Sequence, residues 1–151
     1  MIPPIIHQLW IGNKKAPSKH MNTWKHKNDH MDYINWTEKE ISRRNFKFEC
    51  HKQIEDMEEI NGKADIMRWE LLYHYGGVFL DADSICIEPI DDSLMKTKAF
   101  AGWEQEQVRP GLIATGTMGF PPKHPLVRAA VDWILENDIN VKNTKKRAWI
   151  T

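Results

Sequence analysis

The sequence predicts an α/β protein in which helices are layered on a central β-sheet. Short apolar runs that end at glycine, proline or asparagine indicate buried strands, and segments with helical apolar spacing lie between them. The stretch "KADIMRWELLYHYGGVFLDADSI" carries the pattern most clearly. It runs from a long apolar segment through two glycines into a short hydrophobic run. This alternation of helices and strands is typical of α/β layered domains.

The length, charge and composition of the chain exclude several classes of protein. The 151 residues are expected to form a single domain, residues 1–151. Lys+Arg and Asp+Glu are both 21, and this zero net charge argues against a general nucleic-acid binder. The sequence contains no apolar run long enough for a transmembrane segment, and its start lacks the features of a signal peptide. The two cysteines make no disulfide framework, so we expect a cytoplasmic protein, with peripheral membrane contact as an alternative.

The first half of the chain predicts two strands and three helices. The strands are residues 5–11 and 33–36, and the helices lie within 14–27, 38–44 and 52–61. Thr37 is a plausible N-cap of the middle helix, with Glu40 three residues later as its capping-box partner.

A long helix is predicted over residues 62–75. Its apolar residues go nearly all the way round, which is typical of a buried helix. Asp65 and Arg68 lie about 60° apart on it, in one polar sector. Gly76 and Gly77 supply the left-handed conformation that ends such a helix.

The second half begins with a buried strand, residues 78–80, that ends at Asp81-Ala82-Asp83. Further strands are predicted at 84–87, 99–103 and 112–120, and a helix begins at Pro125. The basic segment Lys142–Arg147 is expected to be a solvated terminus.

The two aspartates indicate a site for a divalent cation. In α/β sheets ligands bind beyond the carboxyl ends of strands, and in an extended segment Asp81 and Asp83 face the same side. Two carboxylates suit Mg²⁺ or Mn²⁺, whose remaining ligands can be phosphate oxygens and water. The alternative is a polar strand end with two solvated aspartates.

Two further features have both structural and functional interpretations. Asp65 and Arg68 are either an ion pair within the helix or a wall that binds hydroxyls and anionic oxygens of a ligand. Trp10, at the end of the first strand, is either a core residue or a platform for a nucleobase.

The segments "IPPIIHQLWIG" and "KADIMRWELLYHYGGVFLDAD" resemble the DXD-containing sugar transferases with the GT-A fold. The resemblance is strongest to the family 32 group and more distant to the clostridial toxin glucosyltransferases. The combination of Ala-Asp-x-x-Arg, Tyr-Gly-Gly and Asp-x-Asp carries it. It implies a Rossmann-like nucleotide-sugar-binding domain of GT-A type, with a mixed central sheet flanked by helices.

The resemblance also implies a function and a set of residues. It implies a metal-dependent glycosyltransferase that moves a sugar from a nucleoside-diphosphate sugar to a carbohydrate or glycan acceptor, with retention of configuration. Trp10 would stack on the nucleobase, and Asp65 and Arg68 would hold the sugar and its phosphate side. Asp81 would contact hydroxyls, and Asp83 would coordinate Mn²⁺ or Mg²⁺.

Several alternatives stay open at this stage. Thr115 or Thr117 occupies the place where relatives often have an asparagine, so either threonine replaces it or acceptor binding differs. The domain is expected to be either minimal or truncated at its C-terminus. The strand with Asp81 and Asp83 also fits a haloacid-dehalogenase phosphatase, with Asp81 as nucleophile. A non-catalytic binder of nucleotide sugars is the third class.

Overall fold

The computed structural model describes residues 1–137, so the predicted solvated segment Lys142–Arg147 lies outside the described residues. Within them, five strands form one sheet in the order β2-β1-β3-β5-β4. The strands are β1 (Ile5–Leu9), β2 (Asp32–Trp36), β3 (Gly77–Leu80), β4 (Phe100–Trp103) and β5 (Ile113–Phe120). The helices are α1 (Ser18–Lys27), α2 (Glu38–Arg43), α3 (His51–Asp56), α4 (Ile60–Tyr75), α5 (Asp92–Met95) and α6 (Pro125–Glu136).

The sheet is mixed. Strand β1 is parallel to both β2 and β3, whereas β5 is antiparallel to β3 and to β4. The carboxyl ends of β1 and β3 therefore share one edge with the beginning of β5. This edge is called the carboxyl edge below.

Hydrophobic clusters cover both faces of the sheet because side chains alternate along each strand. On one face Ile6 and Val78 belong to a cluster against which Trp24 of α1 packs. On the other face Phe79 packs with Leu71 of α4 and with residues of β5 and α6. This arrangement confirms the predicted α/β layering.

Helix α4 is largely buried, as its sequence predicts, and it ends at Gly76. Both Gly76 (φ 62°) and Gly77 (φ 108°) have positive φ, a conformation that suits glycine. A Cβ on Gly77 would lie 2.6 Å from the carbonyl oxygen of Ile5, so the close approach of β3 to β1 also requires glycine. The double glycine thus sets how α4 enters the aspartate strand.

One expectation for residues 84–95 is wrong, and one element there was missed. Residues 84–87 form no strand, because the Ser84 and Cys86 amides donate to Asp81 O and Thr23 Oγ1 and not to a neighbouring strand. The short helix α5 was not predicted, although the Asp91 side chain caps it by accepting from Ser93 N.

Within the described part of the chain, none of the helices has both the length and the apolar character that a membrane span requires.

Candidate active site

Trp10 and Asp81 follow two neighbouring parallel strands at the carboxyl edge. The register pairs Ile6 with Val78 and His7 with Phe79, so the residues that follow β1 and β3 emerge side by side. The first turns of α4 begin at the same edge, because α4 runs back along the sheet to enter β3. Ligands of α/β proteins bind at such edges.

Arg68 lies at the centre of the polar residues there. Its guanidinium donates to Thr115 Oγ1 at 2.7 Å and to Asp81 Oδ1 at 2.9 Å, and it lies 3.3 Å from Asp65 Oδ1. It also packs over the Phe79 ring, 4.9 Å from the centroid. The guanidinium therefore brings together α4, β5 and the end of β3.

Two buried atoms of this cluster have no hydrogen-bond partner among residues 1–137: Asp65 Oδ2 and Arg68 Nε. Asp65 and Arg68 are each only 6% exposed. Buried polar atoms in folded proteins are nearly always hydrogen-bonded, and leaving one unpaired costs about 1–3 kcal/mol. One acceptor and one donor side by side are therefore suited to a polar ligand.

The ionised form of the Asp65 carboxyl is destabilised by its surroundings. Burial raises the pKa of its carboxyl from 3.8 to about 6, the Arg68 charge opposes this effect, and the Asp81 charge adds to it. A charge pair out of water gains little stability unless its remaining hydrogen-bonding capacity is satisfied. The Asp65–Arg68 pair is present, but it is incomplete as a purely structural ion pair.

The segment from Asp81 to Ser84 is a turn, so the expectation of an extended segment, from which a shared side for both aspartates was inferred, is wrong. The Ser84 amide and hydroxyl both donate to Asp81 O, at 3.1 and 2.6 Å. Gln8 Nε2 donates to the same oxygen at 3.1 Å, and Trp24 Nε1 donates to Ser84 Oγ at 2.9 Å. Side chains of β1 and α1 thus hold the aspartate turn in place.

Gln8 and Gly116 are site residues that the sequence interpretation missed. Gln8 is fully buried and links Tyr33 Oη to the Asp81 carbonyl. A glutamine within the apolar run "IIHQLWI" was the available signal. Gly116 leaves space for the Asp81 carboxylate. A Cβ at this position would meet Asp81 Oδ2 and lie 3.0 Å from Asp81 Cγ.

Within the described residues, one of the two carboxylates at the turn is available to a divalent cation. Asp83 is exposed and makes no hydrogen bond or ion pair within residues 1–137, whereas Asp81 has Oδ1 on Arg68 and a side chain 44% exposed. No group of three or more His, Cys, Asp or Glu side chains placed to hold a metal ion is found in the described residues. A cation here would rest mainly on Asp83 and would take its other ligands from a bound phosphate and water.

Trp10 is partly exposed and lies outside the hydrophobic clusters. Its indole Nε1 donates to Lys14 O at 2.8 Å, which ties the ring to the loop after β1. The core interpretation of Trp10 is therefore weakened, and stacking on a nucleobase stays a prediction.

Comparisons with known proteins show that this chain is similar to glycosyltransferases. Residues 15–101 match the family model described as glycosyltransferase sugar-binding region containing DXD motif. The chain is 31% identical over 146 residues to the uncharacterized glycosyltransferase L373 of Acanthamoeba polyphaga mimivirus, covering 91% of this chain and 55% of that protein. It is also 31% identical over 138 residues to inositol phosphoceramide mannosyltransferase 1 of Schizosaccharomyces pombe. That match covers 86% of this chain and 42% of that protein.

The chain thus spans about half the length of the curated relatives it matches. Among solved structures it is similar to the PaToxG glycosyltransferase, with a TM-score of 0.67 and 16% identity over 96% of this chain and 64% of that one. That likeness confirms an α/β fold of GT-A type. Because the family model spans more than half of the chain, the protein belongs to the family of glycosyltransferases with a DXD-containing sugar-binding region.

Proposed function

We propose that this protein transfers a sugar from a nucleoside-diphosphate sugar to a carbohydrate, glycan or glycolipid acceptor, with Mn²⁺ or Mg²⁺ and with retention of configuration. The observation that carries the proposal is the buried Asp65–Arg68 pair, with its two unpaired atoms, in contact with the half-exposed Asp81. Three relatives are named inositol phosphoceramide mannosyltransferases, so a mannosyl donor is the first to test.

Each side chain of the cluster has a role that its surroundings support. Arg68 Nε can donate to an anionic oxygen of the donor, while the same guanidinium holds Asp81 and Thr115 in place. Asp65 Oδ2 can accept from a sugar hydroxyl, and the Asp81 carboxylate can accept from a second hydroxyl. Exclusion of water around Arg68 strengthens these contacts.

Asp83 is the residue that would bind the cation, with Asp81 beside it. Its carboxylate is exposed at the turn and has no competing partner within residues 1–137. A bound Mn²⁺ or Mg²⁺ would neutralise charge on the departing nucleoside diphosphate.

A thermal-shift panel of nucleotide sugars with and without Mn²⁺ tests donor binding, since a ligand that binds only the folded state raises its stability. We expect a shift that needs both metal and donor and that Asp83→Ala abolishes. Asp92→Ala serves as the control, because Asp92 is an exposed aspartate on α5. An unchanged shift in Asp83→Ala would refute the role of Asp83.

Metal-dependent release of sugar from the donor separates a transferase from a non-catalytic binder. A protein that binds donor with Mn²⁺ yet releases no sugar with or without acceptor would be a binder. The phosphatase interpretation has lost its support, because the chain belongs to a glycosyltransferase family and the Asp81 carboxylate is ion-paired with Arg68.

A further inference from the structure

The main-chain carbonyl of Asp81 accepts three hydrogen bonds. Its oxygen lies 3.1 Å from Gln8 Nε2, 2.6 Å from Ser84 Oγ and 3.1 Å from the Ser84 amide nitrogen. A carbonyl oxygen has two lone pairs, so these three donors use its whole capacity to accept. The oxygen therefore holds the turn in place and is not free to bind a ligand.

The position of Asp83 depends on these hydrogen bonds. They fix the peptide group between Asp81 and Ala82, and Ala82 is itself only 8% exposed. Rotation of the turn would break the bonds to the Asp81 carbonyl and bring the Ala82 methyl group into water. The direction in which the exposed Asp83 carboxylate leaves the turn is therefore set by the donors to Asp81 O.

Tyr33 of β2 completes the hydrogen bonding of Gln8. Its hydroxyl donates to Gln8 Oε1 at 2.7 Å, while Gln8 Nε2 donates to Asp81 O. Gln8 is fully buried, so loss of the hydroxyl would leave its Oε1 unpaired and favour another orientation of the amide. Burial raises the pKa of Tyr33 to about 12, so the hydroxyl remains a donor at neutral pH.

Trp24 of α1 has the same relation to the second donor. Its indole Nε1 lies 2.9 Å from Ser84 Oγ and 3.2 Å from Ser84 O. Because Ser84 Oγ accepts from Trp24, its own hydrogen is left to donate to Asp81 O. One chain of hydrogen bonds from β2 and another from α1 therefore end on the same carbonyl oxygen.

We propose that Tyr33 and Trp24 are positioning residues that keep the aspartate turn in the conformation that binds a cation together with the donor phosphates. They act through Gln8 and Ser84 and are not themselves ligands. A turn that is ordered beforehand loses less conformational freedom on binding, which raises the affinity for the ligand. The inference rests on the proposed function in its last step, donor binding with metal, whereas the ordering of the turn is a property of the protein alone.

Amide hydrogen exchange, followed by NMR on the protein without metal or donor, tests the ordering of the turn. Tyr33→Phe and Trp24→Phe each keep an aromatic ring and remove the first donor of one chain of hydrogen bonds. We expect the Ser84 amide to exchange about fivefold faster in each variant, the effect of one ordinary hydrogen bond. Urea denaturation measures global stability, which a purely structural role would lower without selecting the Ser84 amide.

Matched controls change the same chemical groups elsewhere in the fold. Tyr73→Phe removes a hydroxyl on α4 and keeps the ring over which Lys123 and Arg128 lie. Trp103→Phe removes the indole N–H of an exposed residue on β4, at the opposite edge of the sheet from β2. Neither control should change the exchange rate of the Ser84 amide.

Calorimetry with Mn²⁺ and a nucleotide sugar tests the functional step, with GDP-mannose as the first donor. Tyr33→Phe and Trp24→Phe should each weaken donor binding about fivefold, because the cost of ordering the turn is then met on binding. A variant that is merely less stable, yet fully folded at the temperature of the assay, would bind donor with unchanged affinity.

The possible outcomes separate this inference from the proposed function. An unchanged exchange rate of the Ser84 amide in either variant, or an equal increase in the controls, would overturn the inference for that residue. Normal donor affinity in a variant whose turn is loosened would overturn it as well. If the turn loosens as expected but no nucleotide sugar binds with Mn²⁺, the proposed function fails and the ordering of the turn by Tyr33 and Trp24 is confirmed.

Discussion

Replacement of Asp65 with asparagine distinguishes a ligand-binding carboxylate from a structural ion-pair partner. The substitution keeps the shape of the side chain and removes its charge. Arg68 retains its contacts with Asp81 at 2.9 Å and with Thr115 at 2.7 Å after the change. If Asp65 serves mainly to stabilise the fold, the variant should be less stable. If it is held ready for a ligand, the unliganded variant should be more stable.

The magnitude follows from the shifted pKa of Asp65. Burial raises it from 3.8 to about 6, so the folded protein binds more protons than the unfolded chain between these values. The free energy of unfolding that Asp65 contributes is therefore fully present below pH 4 and is lost as pH rises through 6. A shift of about two units corresponds to about 3 kcal/mol. This value already includes the opposing charge of Arg68, 3.3 Å away, so an asparagine that avoids the cost should gain up to about 3 kcal/mol at pH 7.

Urea denaturation of both proteins from pH 4 to pH 8 measures the effect. The difference in stability should be near zero at pH 4, grow as pH rises to 6 and level off above 7. Taking the difference cancels the contributions of other titrating groups. In parallel, the variant should bind the nucleotide-sugar donor more weakly. A variant that loses stability at pH 7 and binds donor normally would refute the reasoning and make the pair structural.

Three further outcomes are expected. Gly116→Ala should displace the Asp81 carboxylate and weaken donor binding in calorimetry at least tenfold with a small stability cost, whereas Gly102→Ala, whose Cβ would meet nothing closer than 3.9 Å, should bind donor normally. Burial lowers the pKa of His7 from 6.5 to about 4, so about 3 kcal/mol of stability present above pH 6.5 should be lost as pH falls through 4, and a His7→Gln variant should lack this loss in urea titrations. Trp10→Ala should weaken donor binding by about 1–3 kcal/mol with little change in unfolding midpoint, and the reverse pattern would return the ring to a structural role.

Helix α4 and its junction with β3 could be predicted from sequence because local chemistry determines them. An apolar pattern all round a helix, followed by two glycines and a short hydrophobic run, allows few other structures. The pairing of Asp65 with Arg68 is set by the helix repeat, and it is present in the structure. Likewise Thr37 caps α2 as predicted, accepting from Glu40 N at 3.2 Å. The Glu40 carboxylate accepts from Arg43 and Arg44 instead, so the predicted capping box is only half formed.

Distant contacts determine what the sequence could not reveal. Strand alternation was applied to Asp81 and Asp83, but the carbonyl of Asp81 accepts from Gln8, 73 positions away, and from Ser84. Those bonds turn the chain before a strand can continue. Similarly, the contact of Thr115 with Arg68 spans 47 positions and depends on β5 lying antiparallel beside β3.

Three departures from ordinary packing rules lie at the candidate site. A glutamine lies fully buried within β1, a glycine in β5 faces a carboxylate, and a buried acceptor and donor on α4 have no partners in the described residues. The unpaired atoms cost stability when considered alone, and natural sequences retain such costs mainly where function requires them. The convergence of the three departures on Asp81 and Arg68 is independent of the DXD pattern. The site is therefore supported by the energetics of the fold as well as by membership of the family.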